Sequence, residues 1–222
     1  ISGLRSAQVG LVSGAADTPM MRQYLELKAQ VPDAILLCRM GDFYEVFFED
    51  ARIAADVLEL TLTSRNKADP DPIPMAGVPY HALDPYLKRL VDAGYKVAVA
   101  EQKPPPPGEK MMRRELVRVV TPGLPWDADD LDARESCFVA AVCGDGPVGI
   151  ALLDASTGGL RVTEVPDRAA ALAEIMRMEP RELVLDAAAH ADLALATGTV
   201  GLSRTSPDPA WFDLDAAQRS LS

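Results

Sequence analysis

Cysteine and histidine are scarce in this sequence. Among 222 residues there are three cysteines, Cys38, Cys137 and Cys143, and two histidines. The cysteines stand far apart in apolar, strand-like contexts, which predicts buried thiols in a reducing compartment and disfavours a disulfide framework or a metal site. His81 has no cysteine, histidine or carboxylate at ligand spacing and is expected to be structural. No metal ligand and no catalytic residue is predicted.

Two other features are missing. No uninterrupted apolar run is long enough to span a membrane, and no convincing signal peptide occurs, so the expected location is the cytoplasm. No Gly-x-x-x-x-Gly-Lys-Ser/Thr segment occurs either. Such a segment cradles nucleotide phosphates in many ATPases, so this chain is not expected to be an ATPase.

Positive charge is scarce in the second half of the sequence. The chain carries a formal net charge of −11. Residues 1–122 hold 15 Lys+Arg and 16 Asp+Glu, a net of −1, whereas residues 123–222 hold 7 and 17, a net of −10. This balance argues against a protein that coats nucleic acid. The first half can nevertheless face a phosphate backbone without strong repulsion, and the second half should avoid one.

The sequence does contain a strongly apolar stretch followed by a polar corner. The run from Ala34 to Cys38 has the length of a buried strand. Apolar residues from Val46 onward recur at three- and four-residue spacing, which predicts an amphipathic helix to about Leu60. Gly41 permits a sharp bend. Residues 39–45 are therefore predicted to form a strand-to-helix corner.

Two interpretations of this corner remain open from its residues alone. In the first, Phe43 is a core aromatic at the first helical position, and Asp42 and Glu45 form a capping box. In the second, the Phe43 ring is an exposed wedge with a hydrogen-bonding carboxylate two residues on. An apolar wedge of this kind can enter the minor groove of DNA, unstack a base step and kink the duplex.

Five separate blocks appear in a fixed order along the chain. They are Thr18-Pro19-Met20-Met21-Arg22-Gln23-Tyr24, Arg39-Met40-Gly41-Asp42-Phe43-Tyr44-Glu45, Ile73-Pro74-Met75-Ala76-Gly77-Val78-Pro79-Tyr80-His81-Ala82, Val99-Ala100-Glu101-Gln102 and Val117-Arg118-Val119-Val120-Thr121-Pro122-Gly123. This pattern closely resembles the amino-terminal part of the MutS family of bacterial DNA mismatch-repair proteins. The resemblance is strong from Thr18 to Gly123 and follows mostly the general pattern from Ser136 onward.

The resemblance implies a site. The family's Phe-x-Glu motif probes a mispaired base, and it falls here on Phe43 and Glu45. Further DNA contacts are expected beside this motif, at Arg65, Met75, Asp42, Met40, Pro74 and Lys67.

The fold class implied is α/β, with a mixed-sheet mismatch-binding domain followed by a ribonuclease-H-like connector domain that looks incomplete. The expected organisation is a flexible leader (1–16), the mismatch-recognition domain (17–123), an acidic linker (124–135) and the connector (136–222).

The elements predicted for the first domain are a helix from Pro19 to before Pro32, a strand at Thr61–Thr63, a rigid extended loop at Ile73–Ala82, a helix at Leu83–Ala93, and strands at Tyr95–Glu101 and Leu116–Val120. Those predicted for the second are hairpin strands Cys137–Val142, Val148–Asp154 and Leu160–Val165, a helix capped by Asp167, a strand at Glu182–Leu185, a helix at Ala188–Ala196, a strand at Val200–Arg204 and a last helix capped by Asp213.

Cofactors and partners follow from the resemblance as well. No cofactor is expected in this chain, because ATP and magnesium belong to an ATPase domain that the full-length family protein carries elsewhere. The expected partners are mismatched double-stranded DNA, a MutL-type protein that meets the connector, and a second copy of the full-length protein.

Two other functions are compatible with parts of the sequence. A ribonuclease-H-like domain can be a two-metal nuclease, with Asp154, Glu174 and Asp186 as its carboxylate cluster. The strand Cys137–Val142, however, lacks the acidic residue that such nucleases place there. The other rival is a pure protein-interaction module, in which the acidic second domain docks a partner.

Overall fold

The computed structural model describes residues 18–67, 70–105, 107–108, 111–124, 137–144, 146–186, 203–205 and 209–221. The chain divides into two units, formed by residues 1–90 with 97–119 and by residues 91–96 with 120–222. The expected leader, nearly all of the expected acidic linker and the helix predicted at Ala188–Ala196 lie outside the described residues. The predicted domain boundaries therefore stay predictions.

The first unit is built on a six-stranded mixed sheet. Its elements are α1 (Pro19–Gln30), β1 (Ile35–Met40), β2 (Phe43–Phe47), α2 (Phe48–Leu58), β3 (Thr63–Arg65), β4 (Ile73–Pro79), α3 (Leu83–Asp92), β5 (Val97–Lys103) and β6 (Arg113–Val120). The strands are ordered β3-β4-β2-β1-β5-β6. β1 is antiparallel to β2 and parallel to β5, and β4 is antiparallel to both β2 and β3.

Helix α1 begins where the sequence predicts. The Thr18 side chain accepts a hydrogen bond from the Met21 amide, and Pro19 occupies the first turn. Near its other end, the Lys28 ammonium lies 2.8 Å from a carboxylate oxygen of Asp50 on α2. The same carboxylate accepts a hydrogen bond of 3.1 Å from the Leu36 amide on β1. One buried aspartate thus ties α1, β1 and α2 together.

The predicted strand-to-helix corner is wrong. Residues 43–47 form strand β2, and Met40 pairs with Phe43 across a two-residue turn in which Gly41 has φ +62°. Helix α2 begins only at Phe48, and no side chain caps it, so the capping box of Asp42 and Glu45 does not form. The aromatic and β-branched residues from Phe43 to Phe47 favour extended backbone, and pairing on both sides fixes it there.

The segment from Ile73 to Pro79 is also a strand and not the predicted loop. It pairs with β2 on one side and with β3 on the other. Ile73, Ala76 and Val78 are buried. Its prolines stand near the two ends of the strand, where a missing amide donor disturbs the ladder least.

Different helices pack on the two faces of the first sheet. On one face Leu36, Cys38, Phe47 and Ala98 pack against Tyr24 and the rest of α1 in a single core cluster. The opposite face carries buried residues such as Tyr44, Val46 and Val78, and α2 packs against β4, β2 and β1. The end of β2 nearest the turn extends toward the rim of the α1-side core, since Phe43 is exposed whereas Phe47 is buried.

The second unit is a five-stranded sheet with helix α4 packed on it. Its elements are β7 (Phe138–Cys143), β8 (Val148–Asp154), β9 (Gly159–Val165), α4 (Arg168–Met178), β10 (Glu182–Leu185), β11 (Ser203–Thr205) and α5 (Leu214–Leu221). The order is β11-β10-β7-β8-β9, with β7, β8 and β9 antiparallel and β7, β10 and β11 parallel. The predicted hairpin strands are confirmed, and the last predicted strand is Ser203–Thr205. Asp167 and Asp213 cap α4 and α5, as predicted.

The cysteines differ from one another in exposure. All three are free thiols; Cys38 and Cys137 are buried, and Cys143 is exposed. The prediction of a buried thiol is wrong for Cys143, because it is the last residue of β7 and stands at the end of its strand. No helix within the described ranges is long and apolar enough to cross a membrane.

Candidate nucleic-acid interface

The Phe43 ring is exposed on a strand that is otherwise buried. Phe43 is 48% exposed, whereas Tyr44, Val46 and Phe47 are each 3% exposed or less. The two-residue turn at Gly41 and Asp42 puts Phe43 at the tip of the β1–β2 hairpin. An aromatic residue in such a strand is ordinarily part of the core. The core-aromatic interpretation of Phe43 is therefore wrong, and the ring is available to a partner.

Glu45 lies on the same sheet face as Phe43, since alternate strand residues share a face. One oxygen of its carboxylate is 3.3 Å from a guanidinium nitrogen of Arg65 on β3, and its side chain is 20% exposed. Burial raises the pKa of Glu45 above its usual value, while the positive charges of Arg65 and Arg114 act in the opposite direction. Burial thus disfavours the charged form of the Glu45 carboxylate, and the neighbouring arginines stabilise that form.

Gly77 leaves a shallow recess beside these two side chains. It pairs with Glu45 across the β2–β4 ladder. A Cβ atom at Gly77 would lie 3.4 Å from the Tyr44 carbonyl oxygen, 3.8 Å from the Glu45 Cγ and 3.9 Å from the Phe43 Cδ1. Sequence reasoning did not find this residue, although a glycine inside a buried strand segment is itself a signal of close approach.

A cluster on the opposite face braces the hairpin tip. The Arg39 guanidinium lies 3.8 Å from the Tyr80 ring centroid and 5.6 Å from that of Tyr44, and it donates a hydrogen bond to the Gly41 carbonyl. The Tyr80 amide donates to the Asp42 carbonyl at 3.0 Å. The Tyr44 hydroxyl bonds the Glu101 carboxylate, and burial raises the pKa of Tyr44 to about 12. These contacts, which the sequence does not reveal, fix the turn.

The other predicted contact residues divide into three groups. Met40 pairs with Phe43, and Met75 pairs with Phe47; both are half-buried at the border of the α1-side core. With Arg65 they share the face of the Phe-x-Glu motif. Asp42 is exposed at the turn, and Lys67 is exposed two residues beyond β3. Pro74 alternates with Met75 along β4 and therefore belongs to the opposite face.

The three carboxylates of the rival nuclease interpretation, Asp154, Glu174 and Asp186, each bond to other groups of the second unit. Asp154 accepts hydrogen bonds from the Cys137 amide and from the Ser156 amide and hydroxyl, and the bonds from Ser156 hold its pKa below the usual value. Glu174 forms an ion pair with Arg177, and Asp186 accepts from the Gly144 amide. Within the described part of the chain, no group of three or more His, Cys, Asp or Glu side chains could hold a metal ion.

Comparison with known proteins gives consistent matches along the chain. The family described as MutS domain I matches residues 18–128, and the family described as MutS domain II matches residues 137–221. A protein named DNA mismatch repair protein MutS from Desulfatibacillum aliphaticivorans is 55% identical over 170 residues, covering 76% of this chain and 19% of that protein.

Two further relatives carry the same name. The protein from Anaeromyxobacter sp. (strain Fw109-5) is 49% identical over 87% of this chain and 22% of its own length. The protein from Sorangium cellulosum (strain So ce56) is 51% identical over 76% of this chain and 20% of its own length. The chain therefore spans about a fifth of the length of the curated relatives it matches.

Proposed function

This chain belongs to the MutS family, and on that premise we propose that its first unit recognises mispaired or unpaired bases in double-stranded DNA during mismatch repair. The observation that carries the proposal is the exposed Phe43 ring at the tip of a braced hairpin. The hydrogen bonds around the turn fix the backbone that presents this ring, and an exposed apolar wedge can enter a minor groove and unstack a base step. Phe43 inserts into the duplex at the faulty step.

Recognition rests on how easily the DNA deforms. A mispaired step costs less to unstack and kink than a paired one, by a few kcal/mol. Stacking of the Phe43 ring on the exposed base supplies on the order of 1–3 kcal/mol and does not depend on base identity. The wedge therefore selects weak base steps and accepts many kinds of mismatch.

Glu45 provides a second way to distinguish a mispaired base from a normal pair. When ionised, its carboxylate accepts a hydrogen bond from an N–H group on the base edge; when protonated, it donates one to a ring nitrogen. On a paired duplex no such bond forms, and the carboxylate is left close to phosphates. That repulsion penalises normal DNA and so sharpens discrimination.

The residues around the motif hold the duplex in place. Arg65 and Lys67 contact phosphates, and Met40 and Met75 lie beside the kinked step. Asp42 and Pro74 complete the expected contacts; Asp42 stands at the exposed turn, whereas Pro74 has the weaker case because of the face it occupies.

The second unit transmits the DNA state and does not hold the duplex. The net charge of −10 over residues 123–222 makes close approach to phosphates unfavourable. We assign to this unit the contact with a MutL-type partner and the relay to an ATPase portion. ATP, magnesium and the homodimer contact belong to the remaining four-fifths of a full-length relative.

The decisive experiment uses a full-length protein that carries this segment. Phe43→Ala should lower the affinity for a G·T mismatch to that for the matched homoduplex, and the fold should persist because the ring is outside the core. Leu62→Ala is the matched control, since Leu62 is also an exposed apolar residue of the first unit, at 42%. Retention of mismatch preference by Phe43→Ala would overturn the proposal.

A further inference from the structure

The ion pair of Glu45 and Arg65 is asymmetric in its exposure. The Glu45 side chain is 20% exposed and that of Arg65 is 40% exposed, with one guanidinium nitrogen 3.3 Å from the carboxylate. The Arg65 guanidinium carbon also lies 6.0 Å from the centroid of the buried Phe47 ring. The arginine thus rests on the sheet, with one side toward Glu45 and another toward solvent. An arginine has five donors, so one carboxylate contact leaves others for a phosphate.

The other groups that face Glu45 cannot take the place of Arg65. On β1 the partner is Cys38, whose pKa burial raises to about 12, so the thiol is neutral. On β4 it is Gly77, which has no side chain. On β6, Arg114 bears on Glu45 through its charge, but its guanidinium is held by the Arg39 carbonyl at 3.2 Å and by the Gln23 side-chain oxygen at 3.1 Å. Among the described residues, Arg65 is the cation in direct contact with Glu45, and its side chain is 40% exposed.

We propose that Arg65 controls discrimination through Glu45: its guanidinium pairs with the carboxylate in the free protein and transfers to a DNA phosphate on binding, which leaves Glu45 without its counter-ion beside the base. This inference rests on the proposed function and assigns Arg65 a role beyond that of a phosphate contact. A phosphate competes well for the guanidinium, because both anions match its planar fork.

The transfer has a chemical consequence. Once Arg65 leaves, burial opposes the charge on Glu45 and only Arg114 still offsets it. Glu45 then takes up one proton from the buffer and donates that hydrogen to an acceptor nitrogen of the unstacked base. On a paired duplex no acceptor is offered, so the same transfer leaves a buried group without a partner, which is unfavourable.

The first test uses the 222-residue chain without DNA. The Glu45 carboxyl is titrated by NMR in the wild type, in Arg65→Met and in Lys67→Met. Lys67→Met is the matched control, because it removes a nearby cation of the same segment that forms no recorded pair with Glu45. We expect the midpoint to rise in Arg65→Met and to stay in place in Lys67→Met. An unchanged midpoint in Arg65→Met, or an equal rise in both variants, overturns the proposal.

The second test measures proton uptake when a full-length protein carrying this segment binds a mismatched duplex. The calorimetric binding enthalpy is compared in two buffers of different ionisation enthalpy at several pH values. We expect uptake of up to one proton in the wild type, less in Arg65→Met, and none from this site in Glu45→Gln. Arg52→Met is the control for this test, because it removes an exposed cation of α2 that pairs with Glu49 and lies outside the expected DNA contacts; it should take up protons as the wild type does. One linked proton changes the affinity by at most about tenfold per pH unit. Equal uptake in Arg65→Met and in the wild type would make Arg65 a plain phosphate contact.

Failure of this inference is separable from failure of the proposed function. Phe43→Ala is measured in the same binding series. If Phe43→Ala keeps mismatch preference, the wedge is wrong, whereas the titration in the free chain still decides whether Arg65 governs Glu45. If Phe43→Ala loses the preference but Arg65→Met titrates and takes up protons as the wild type does, only the inference about Arg65 falls.

Discussion

At the scale of single residues, the site combines an exposed ring with a carboxylate that the fold disfavours in its charged form. The pKa of Glu45 is raised mainly by burial. The folded protein therefore binds this proton more tightly than the unfolded chain does, and stability falls as pH rises through the raised pKa. Charging the Glu45 carboxyl is therefore less favourable in the folded protein than in the unfolded chain.

Glu45→Gln should for this reason raise the melting temperature at pH 7. The gain should shrink as pH falls through the raised pKa of Glu45 and disappear below the ordinary glutamate value of about 4.3, because both states are then protonated. Thermal unfolding of the chain across this pH range measures it, with Glu26→Gln on the exposed side of α1 as the control for loss of one charge. A less stable Glu45→Gln at pH 7 would mean that the pair with Arg65 outweighs burial.

Two glycines offer a matched comparison. A Cβ at Gly77 meets its neighbours at 3.4 Å or more, whereas one at Gly123 would lie 2.6 Å from Glu182 Cβ and from Val139 Cγ2. Gly77→Ala should change the free energy of unfolding by less than about 1 kcal/mol while it fills the recess and weakens mismatch binding. Gly123→Ala should destabilise the second unit by about 1–3 kcal/mol. Urea unfolding and mismatch titration check both; equal stability of the two variants would contradict the geometry.

At the scale of elements, the Lys28–Asp50 pair decides how α1 is attached. Asp50 is 9% exposed; its carboxylate forms an ion pair with the Lys28 ammonium and also accepts a hydrogen bond from the Leu36 amide. Asp50→Ala removes the counter-ion of Lys28, which keeps only its bond to the Ala34 carbonyl, and leaves the buried Leu36 amide without its acceptor, so it should cost about 2–3 kcal/mol of unfolding free energy. The exposed Glu49→Ala is the neighbouring control. If urea unfolding gives similar losses for the two variants, the pair does not hold α1.

Elements with a clear pattern were predictable from the sequence, and the site's own strand was not. The apolar run of β1 and the caps at Thr18 and Asp167 have local causes. The stretch from Phe43 to Phe48 is apolar at nearly every position, so its period fits a helix as well as a strand. Asp42 and Glu45 mimic a capping box. Pairing with β4, about thirty residues away in sequence, decides the outcome.

The candidate site was predictable to the same extent. Phe43 and Glu45 follow from the family resemblance, which carries their spacing. The brace formed by Arg39 and Tyr80, and the recess at Gly77, depend on which strands become neighbours. Strand order is a property of the whole sheet, so no local sequence pattern predicts these contacts.

At the scale of the whole molecule, the two halves of the chain differ in net charge. Residues 1–122 carry a net of −1 and residues 123–222 a net of −10. Each unit has its own apolar core. Expressed separately and titrated with a short duplex at low salt, residues 18–123 should bind more tightly than residues 137–221. Tighter binding by the second piece would reverse the assignment of DNA contact to the first unit.

The position of β2 also has a mechanical meaning. Phe43 at its tip and Phe47 at its base project from one side of the same strand, and Phe47 meets the Tyr24 ring edge-on with the centroids 4.9 Å apart. In the proposed complex, a duplex that resists bending would push back on the Phe43 ring. Strand β2 is hydrogen-bonded to β1 on one edge and to β4 on the other, and it leads directly to the packed Phe47–Tyr24 pair. The proposed probe is therefore continuous, through a single strand, with the core of the first unit.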